Sequence, residues 1–263
     1  LMVGYKHIER EQAIKDYLIL NDICKANIAL NNEEKATWES VSEYIDGVAG
    51  DFMTCEQISE IFGPKIDADP SNLDLKKTAI TLLKAKSCSS SPLYIKVLSE
   101  LIAEEPNEEG YRELANYYLI NKQYDKANIY LEKALENTDD AVAKEKYYLQ
   151  LAGINKGSTA RTYADKVLEL NPSNGKAIMI KGHAIYNSNI GRCEKYWAKA
   201  MSWVAVDYMN RAKAADPSVA DAANKAISQY RSRFPSNDEK FFQNHTNGQT
   251  VTIPCSGIST TVR

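Results

Sequence analysis

The sequence lacks the features that mark membrane-spanning and nucleic-acid-binding proteins. No apolar stretch among its 263 residues approaches the roughly 18 consecutive residues that a transmembrane helix needs. Its formal net charge is only −3, so neither sign dominates. A protein whose main partner is a polyanion usually carries a clear basic excess. We therefore expect no integral membrane segment in this chain and no nucleic-acid partner.

Residues arranged for catalysis or metal binding are also missing. The three histidines, His7, His183 and His245, are far apart in the sequence and form no HExxH pattern. No glycine-rich phosphate loop follows a strand, and no GxSxG sequence occurs. Gly175-Lys176 resembles the end of a phosphate loop but has no upstream glycine. The sequence thus predicts no enzyme, no catalytic residues, no metal site and no cofactor.

What the sequence does contain is a recurring stop-and-start signal. An acidic or amide residue precedes proline, and most often a small polar residue follows it, at 69–72, 105–108, 171–174 and 216–219. Proline cannot continue a helix, and Ser, Asn or Asp just beyond it can cap the next one. Pro106 follows Pro70 by 36 residues, and Pro172 follows Pro106 by 66, which is twice 33. A period of about 34 residues is typical of helix–turn–helix repeats.

The segment between Pro106 and Pro172 has the spacing of one particular repeat. Its packing residues form two helical faces, Tyr111, Leu114, Ala115 and Tyr118, then Ala127, Leu131 and Ala134. This pattern resembles the tetratricopeptide repeat (TPR), in which small residues let two antiparallel helices approach closely. The resemblance implies an all-α fold, a right-handed TPR-type α-solenoid of antiparallel helix pairs. The alternating TVTIP and ISTTV stretches further along predict a short C-terminal β-hairpin.

The repeat signal divides the chain into five segments. We expect N-terminal helices of a divergent repeat over 1–53, divergent TPR-like helices over 54–106, TPR units over 107–217, a capping helix over 218–234 and a C-terminal extension with the hairpin over 235–263. The third TPR repeat carries an insertion around 187–197, which should lengthen its loop or its second helix. In the second TPR repeat, Tyr148 and Ala152 are both candidates for the small-residue position. The choice of Ala152 implies that the turn between the two helices is shortened by about four residues.

The chain is also similar to a family of exported, uncharacterised TPR proteins of Gram-negative bacteria. The likeness rests on CEQISEIFGPKIDADPSN at 55–72, KAMSWVAVDYMNRAKAADPSVA at 199–220 and the TTVR ending at 260–263. It implies an extracytoplasmic location (periplasmic, cell-surface or secreted), with an N-terminal signal and upstream helices that are not in this chain. It implies no activity. Where the family's ending usually shows an aromatic residue after the cysteine, this sequence has Ser256.

Four of the five cysteines are placed to form disulfides. Cys55 begins one helix and Cys88 ends the next, and such ends lie side by side in an antiparallel helix pair. Cys193 begins the long helix of the third unit, and Cys255 lies at the tip of a hairpin expected to fold back on it. We predict the bridges Cys55–Cys88 and Cys193–Cys255, with Cys24 left over. The alternative is that all five are ordinary half-buried thiols.

A repeat array exposes one face of each first helix along a concave groove, where a partner would bind. The residues that alternate with the packing positions should line it: Arg112, Asn116, Leu119, Lys146, Gln150, Lys176, Met179, His183 and Tyr186. Arg112, Lys146 and Lys176 would form a basic stripe suited to an extended peptide's carbonyls or to a terminal carboxylate. The alternative is a solvated polar face without a dedicated ligand.

These features predict a non-catalytic scaffold that binds a protein or peptide partner in the groove of a TPR array. A second hypothesis comes from an aromatic run, Tyr196, Trp197, Trp203 and Tyr208, which would form a stacking platform for sugars if its rings were exposed. The protein would then be a glycan- or small-ligand-binding accessory protein of the cell envelope. Burial of the same rings in the helix packing favours the scaffold.

Overall fold

A computed structural model describes residues 10–30 and 33–263 of the chain. The fold is mostly helical: 74% of it is helix, in thirteen α-helices within these residues, together with a small two-stranded antiparallel sheet. The prediction of an all-α protein with a terminal hairpin is confirmed at this level. Part of the predicted 1–53 segment, including His7, lies outside the described residues.

The chain divides into two compact units, with the boundary between Asn121 and Lys122. This boundary falls within the predicted 107–217 segment. The helices of the first unit are α1 (Arg10–Ala29), α2 (Lys35–Phe52), α3 (Cys55–Ala68), α4 (Leu73–Ala85), α5 (Pro92–Glu104) and α6 (Glu108–Ile120). Their described apolar residues form the core of this unit, including Ile58, Phe62, Leu82 and Val97.

The second unit contains seven helices and the hairpin. They are α7 (Tyr124–Glu136), α8 (Ala141–Ile154), α9 (Gly157–Leu170), α10 (Gly175–Asn189), α11 (Lys195–Ala215), α12 (Ala220–Arg231), α13 (Asn237–Phe242), β1 (Thr250–Ile253) and β2 (Ile258–Thr261). The two strands pair antiparallel, with Thr250 opposite Thr261 and Ile253 opposite Ile258. A short 3₁₀ turn, Pro217–Val219, links α11 to α12.

The recurring proline signal folds into the same local structure at three positions. Asp69, Asn171 and Asp216 each accept a hydrogen bond from the hydroxyl of the serine two residues later, at 2.8, 2.8 and 2.6 Å. The next asparagine then caps a helix: Asn72 accepts from the Leu75 N–H at 2.9 Å and Asn174 from the Ala177 N–H, also at 2.9 Å. The predicted sequence of stop, turn and start is thereby confirmed at these positions.

Small residues lie where the helices of the second unit approach most closely. Gly182 on α10 faces α11, and a Cβ built on it would lie 2.5 Å from the Cβ of Tyr208. No side chain fits in that space, so a glycine is needed there. On α11, Ala205 and Ala212 are fully buried. The segment predicted as an insertion, around 187–197, covers the end of α10, the 190–194 connection and the start of α11, which has 21 residues.

The structure decides between the two candidates for the small position of α8. Ala152 is buried, whereas Tyr148 is half-buried and its ring stacks on Tyr163. Only Asn155 and Lys156 separate α8 from α9, so the turn is short, as the choice of Ala152 implies. The buried small residue and the short connection agree with the Ala152 alternative.

Both predicted disulfides are present. Cys55–Cys88 joins the start of α3 to the loop after α4, with Cα atoms 5.8 Å apart. Cys193–Cys255 joins the segment before α11 to the hairpin turn, with Cα atoms 5.3 Å apart. Cys24 is a buried free thiol.

Polar contacts also dock the hairpin on α11. Asp207 accepts a hydrogen bond from the Thr260 hydroxyl at 2.5 Å and pairs with the guanidinium of Arg263, which also donates to the Trp203 carbonyl at 3.2 Å. Ile253 of β1 and Val262, which follows β2, are buried in one apolar cluster with Trp203 of α11. Two isolated strands are only marginally stable, so the hairpin depends on these contacts with α11 and on the disulfide. Within the described residues, no helix has the length and apolar character needed to cross a bilayer.

Candidate partner-binding site

The nine predicted groove residues are distributed over both units. Arg112, Asn116 and Leu119 lie on α6 in the first unit, and the other six lie on α8 and α10 in the second. Each group is described within its own unit. In the first, Asn116 lies at a cavity; in the second, His183 and Tyr186 belong to a cluster of aromatic and charged side chains.

The cavity of the first unit has a volume of about 350 Å³ and lies between the end of α4, the loop that follows it, the start of α5 and the second half of α6. We call it the α6 pocket. It is lined by Lys84 and Glu113, by the hydroxyls of Ser87, Ser89, Ser90 and Tyr94, by Asn116 and Asn121, and by Tyr117 and Ile120. Ile120 is 81% exposed, so an apolar side chain stands open to solvent at its edge.

Helix periodicity explains why α6 presents this face. Tyr111, Leu114, Ala115 and Tyr118 are buried and point into the core of the unit. Glu113, Asn116, Tyr117 and Ile120 follow one another at helical intervals on the opposite side, so they line one surface. Asn107 caps the helix by accepting a hydrogen bond from the Gly110 N–H at 2.8 Å. The α6 side chains of the pocket therefore come from a helix with a fixed start.

A disulfide anchors the opposite rim. Ser87, Ser89 and Ser90 flank Cys88, which is bonded to Cys55 on α3. Ser87 has a positive φ of 57°, and the loop ends where Ser91 caps α5 by accepting from the Tyr94 N–H at 3.2 Å. A six-residue loop that would otherwise be free is thus held at its middle and at its end.

Charged groups inside the pocket are already paired. The Lys84 Nζ lies 2.7 Å from Glu113 and 3.0 Å from Glu109, and the Tyr94 hydroxyl donates to the other oxygen of Glu113. Desolvation lowers the pKa of Lys84, but hydrogen bonds to Glu113 and Glu109 outweigh it, so the pKa is raised. Burial and the bond to Glu113 raise the pKa of Tyr94. At neutral pH the lysine is a cation with its charge satisfied, and the tyrosine is a neutral donor.

The predicted cation Arg112 is likewise compensated. Its guanidinium lies 4.0 Å from Glu108 and 3.9 Å from Glu109. With Glu113, three carboxylates surround two cations, so this region carries no excess positive charge. The terminal-carboxylate hypothesis therefore finds no support at α6. Leu119 is half-buried and does not line the pocket.

In the second unit, His183 and Tyr186 contact α12 and the residues that follow it. The His183 Nδ1 lies 2.5 Å from the Tyr230 hydroxyl, and Arg233 donates to the Tyr186 hydroxyl at 3.3 Å. The Arg233 guanidinium also lies over the Tyr186 ring, 5.6 Å from its centroid. Burial lowers the pKa of His183, which is neutral at pH 7. Tyr186 is only 6% exposed, so its ring serves the packing between α10 and α12.

The remaining predicted residues of the second unit take no part in these contacts. Lys146 and Lys176 are exposed, and Gln150 and Met179 are half-buried. Sequence reasoning missed Tyr230 and Arg233, which complete the cluster around His183. The only signal for them was their place in the amphipathic segment predicted as a cap.

The aromatic run does not form an open platform. Trp203 is fully buried between Tyr196 and Phe234, whose rings meet it edge to face. Tyr196 and Trp197 are half-buried against His245, and the Tyr196 hydroxyl is hydrogen-bonded to His245 at 2.6 Å. The packing interpretation is confirmed for Trp203. Tyr208 is half-buried as well, so none of the four rings is fully exposed as a stacking platform would require.

Comparison with known proteins assigns no family: no family model matches the chain, and the curated proteins searched contain no significant match. Among the described residues, no three His, Cys, Asp or Glu side chains are grouped closely enough to hold a metal ion.

Proposed function

We propose that this protein is a non-catalytic binding protein that holds an extended peptide segment of a protein partner in the α6 pocket. The observation that carries the proposal is the composition of that pocket. Hydroxyl and amide groups line its walls, and the exposed Ile120 and the Tyr117 ring stand at its edge. The backbone carbonyls and N–H groups of an extended peptide can hydrogen-bond to the hydroxyl and amide groups, and an apolar side chain of the peptide can contact Ile120 and Tyr117.

The charges of the pocket define the kind of peptide. Lys84 and Arg112 are paired with Glu109, Glu113 and Glu108, so an acidic segment would gain no free cation and would meet a surplus carboxylate. A neutral segment with one apolar side chain next to Ile120 suits the site better. Specificity would come from hydrogen bonds to Asn116 and the loop serines, and affinity mainly from the apolar contact.

We further propose that the helix pairs form a right-handed TPR-type solenoid and that the protein works outside the cytoplasm. The recurring Asx–Pro–Ser turns and the buried small residues at Ala152 and Gly182 support the first point. Two disulfides support the second, because such bonds persist mainly in oxidising compartments.

A peptide selection tests the proposed function. A random-sequence phage library is selected against the oxidised protein, and each selected peptide is titrated by fluorescence anisotropy. We expect neutral peptides with an apolar anchor, and we expect Asn116→Ala combined with Ile120→Ser to weaken them about tenfold or more. Ile129→Ser, at a half-exposed isoleucine of α7, is the matched control and should bind as the wild type does.

Two results would count against this function. One is a selection that returns only acidic peptides, because the pocket has no free cation to receive them. The other is a set of peptides whose affinity is unchanged by the double substitution. Either would mean that the α6 pocket is not where a partner binds.

A further inference from the structure

The second unit contains a cavity of about 450 Å³ that none of the predicted groove residues lines. Four segments form it: the first turns of α9, the end of α10, the connection after α10 and the hairpin turn. Arg161 and Arg192 contribute guanidinium groups, and Ser158, Ser188 and Ser256 contribute hydroxyls. Ile185 and Ile258 supply apolar surface. We call it the two-arginine pocket.

The cations of this pocket are not satisfied by the protein. Within the described part of the chain, the Arg192 guanidinium makes no ion pair or hydrogen bond to another residue, and it is exposed. Arg161 has one carboxylate nearby, Asp165, at 3.8 Å from its Nε. The other oxygen of Asp165 lies 2.5 Å from the Lys181 Nζ, so that carboxylate is held mainly by the lysine. Among the described residues that line the cavity, none is acidic.

The fold holds these groups in place rather than leaving them on mobile ends. The Cys193–Cys255 bond ties the residue after Arg192 to the residue before Ser256. Gly157, with a φ of +58°, makes the tight turn that starts α9, and a Cβ built on it would lie 3.8 Å from the Ser188 hydroxyl. That distance places the start of α9 beside the end of α10. The disulfide and this turn therefore both fix the position of residues that line the same cavity.

We propose that the two-arginine pocket binds the phosphate group of a small phosphate ester. Arginine presents a planar fork of donors that matches phosphate oxygens two at a time, and two such forks neutralise a dianion. The serine hydroxyls add donors from other directions, which suits the tetrahedral group better than a flat carboxylate. The cavity exceeds the size of a bare ion, and Ile185 and Ile258 give the organic part of the ester an apolar contact.

The site is independent of the α6 pocket. It shares no residue with it, lies in the other unit and selects an anion rather than a neutral peptide. Substitutions at Asn116 and Ile120 should leave phosphate binding unchanged. An experiment that refutes one proposal therefore does not refute the other.

Titration of the oxidised protein with inorganic phosphate and with glycerol 3-phosphate tests this site. We expect saturable binding of one equivalent, tighter for the ester and weakened by added salt. Arg161→Gln and Arg192→Gln should each weaken it about tenfold, and Arg192→Lys should weaken it less, because a lysine keeps the charge but loses the fork. The matched control is Arg211→Gln, an exposed arginine of α11 that lies over the Tyr208 ring and outside the cavity.

A second arm separates a soluble ester from a lipid headgroup. Sedimentation with phosphatidylcholine vesicles that contain phosphatidic acid should show binding only if the phosphate of a bilayer lipid can reach the pocket. Binding to vesicles that is lost in Arg161→Gln and Arg192→Gln supports the same site with a lipid as its source. The proposal is overturned if no phosphate probe binds, or if Arg211→Gln weakens binding as much as the pocket substitutions do. Circular dichroism and thiol titration of each variant verify that the fold and both disulfides are retained.

Discussion

The two cavities of this protein each have a disulfide at the rim but differ in how their cations are paired. In each, a disulfide fixes a rim: Cys88 lies among the serines of the α6 pocket, and Cys193 and Cys255 adjoin Arg192 and Ser256 in the two-arginine pocket. They differ in what happens to the cations. Lys84 lies within 3.0 Å of two carboxylates, whereas Arg192 has no such partner in the described part of the chain. The pockets therefore differ both in the number of lining cations, one against two, and in whether carboxylates pair with those cations.

Loss of a disulfide should have the largest effect. The bridges close loops of 33 and 62 residues, for which chain entropy gives about 4 kcal/mol each, slightly more for the longer one. Replacing each pair of cysteines with serine should destabilise only the unit that contains it. Hydrogen exchange in urea, followed separately for peptides of each unit, measures this. Equal destabilisation of both units by either variant would contradict the division into two units.

The second-largest effect should come from removing the Asp207 carboxylate, which accepts hydrogen bonds from the hairpin segment. Asp207→Ala takes away the hydrogen-bond acceptor of the buried Thr260 and the half-buried Arg263, at a cost of about 1–2 kcal/mol. The effect should be confined to the second unit and seen as faster hydrogen exchange in the 250–261 strands. Asp221→Ala, at an exposed acid of α12, is the control and should leave the strands protected. Unchanged exchange in the Asp207 variant would show that the disulfide alone holds the hairpin.

Removing the carboxylates that pair with Lys84 should lower stability less. It tests most sharply whether the pairing of cations distinguishes the two pockets. Glu109→Gln with Glu113→Gln removes both carboxylates while keeping side-chain shape, at a cost of about 1 kcal/mol because the groups are partly exposed. The α6 pocket should then acquire weak phosphate binding that the wild-type pocket lacks. Phosphate titration of this variant in an Arg192→Gln background isolates the new site. If none appears, carboxylate pairing is not what distinguishes the pockets.

The smallest expected effect is on pH dependence. Burial lowers the pKa of His183 in the folded protein, so the unfolded chain binds a proton more readily. The second unit should therefore lose stability as pH falls through the window between the ordinary histidine pKa of about 6.5 and the lower folded value. Urea unfolding followed by hydrogen exchange, at about pH 7.5 and about pH 5.5, measures the loss. His183→Gln should reduce it, and an unreduced loss would assign it to other groups.

The sequence predicts the features that depend on local chemistry. The Asx–Pro–Ser turns and the caps at Asn72 and Asn174 follow from nearby residues, and the cysteines could be paired because each lies at a helix end or a hairpin tip. Helical periodicity also placed Asn116 on an open face of α6.

Features that depend on distant contacts could not be predicted. Lys84 reaches Glu113 from another helix, so the sequence does not show that its charge is paired. Arg112 differs, because Glu108 and Glu109 lie four and three residues before it on one helix, a local spacing that the basic-stripe hypothesis left out. The two-arginine pocket combines residues from Ser158 to Ile258, so no short window of sequence contains it.

One backbone-amide NMR titration series tests the account most directly. Inorganic phosphate is added first, and a selected neutral peptide second, to the same sample of oxidised protein. The account predicts phosphate-induced shifts confined to residues 158–161, 185–192 and 256–258, and peptide-induced shifts confined to 84–94 and 113–121. Shifts from both ligands in one common region, or scattered over both units, would contradict it.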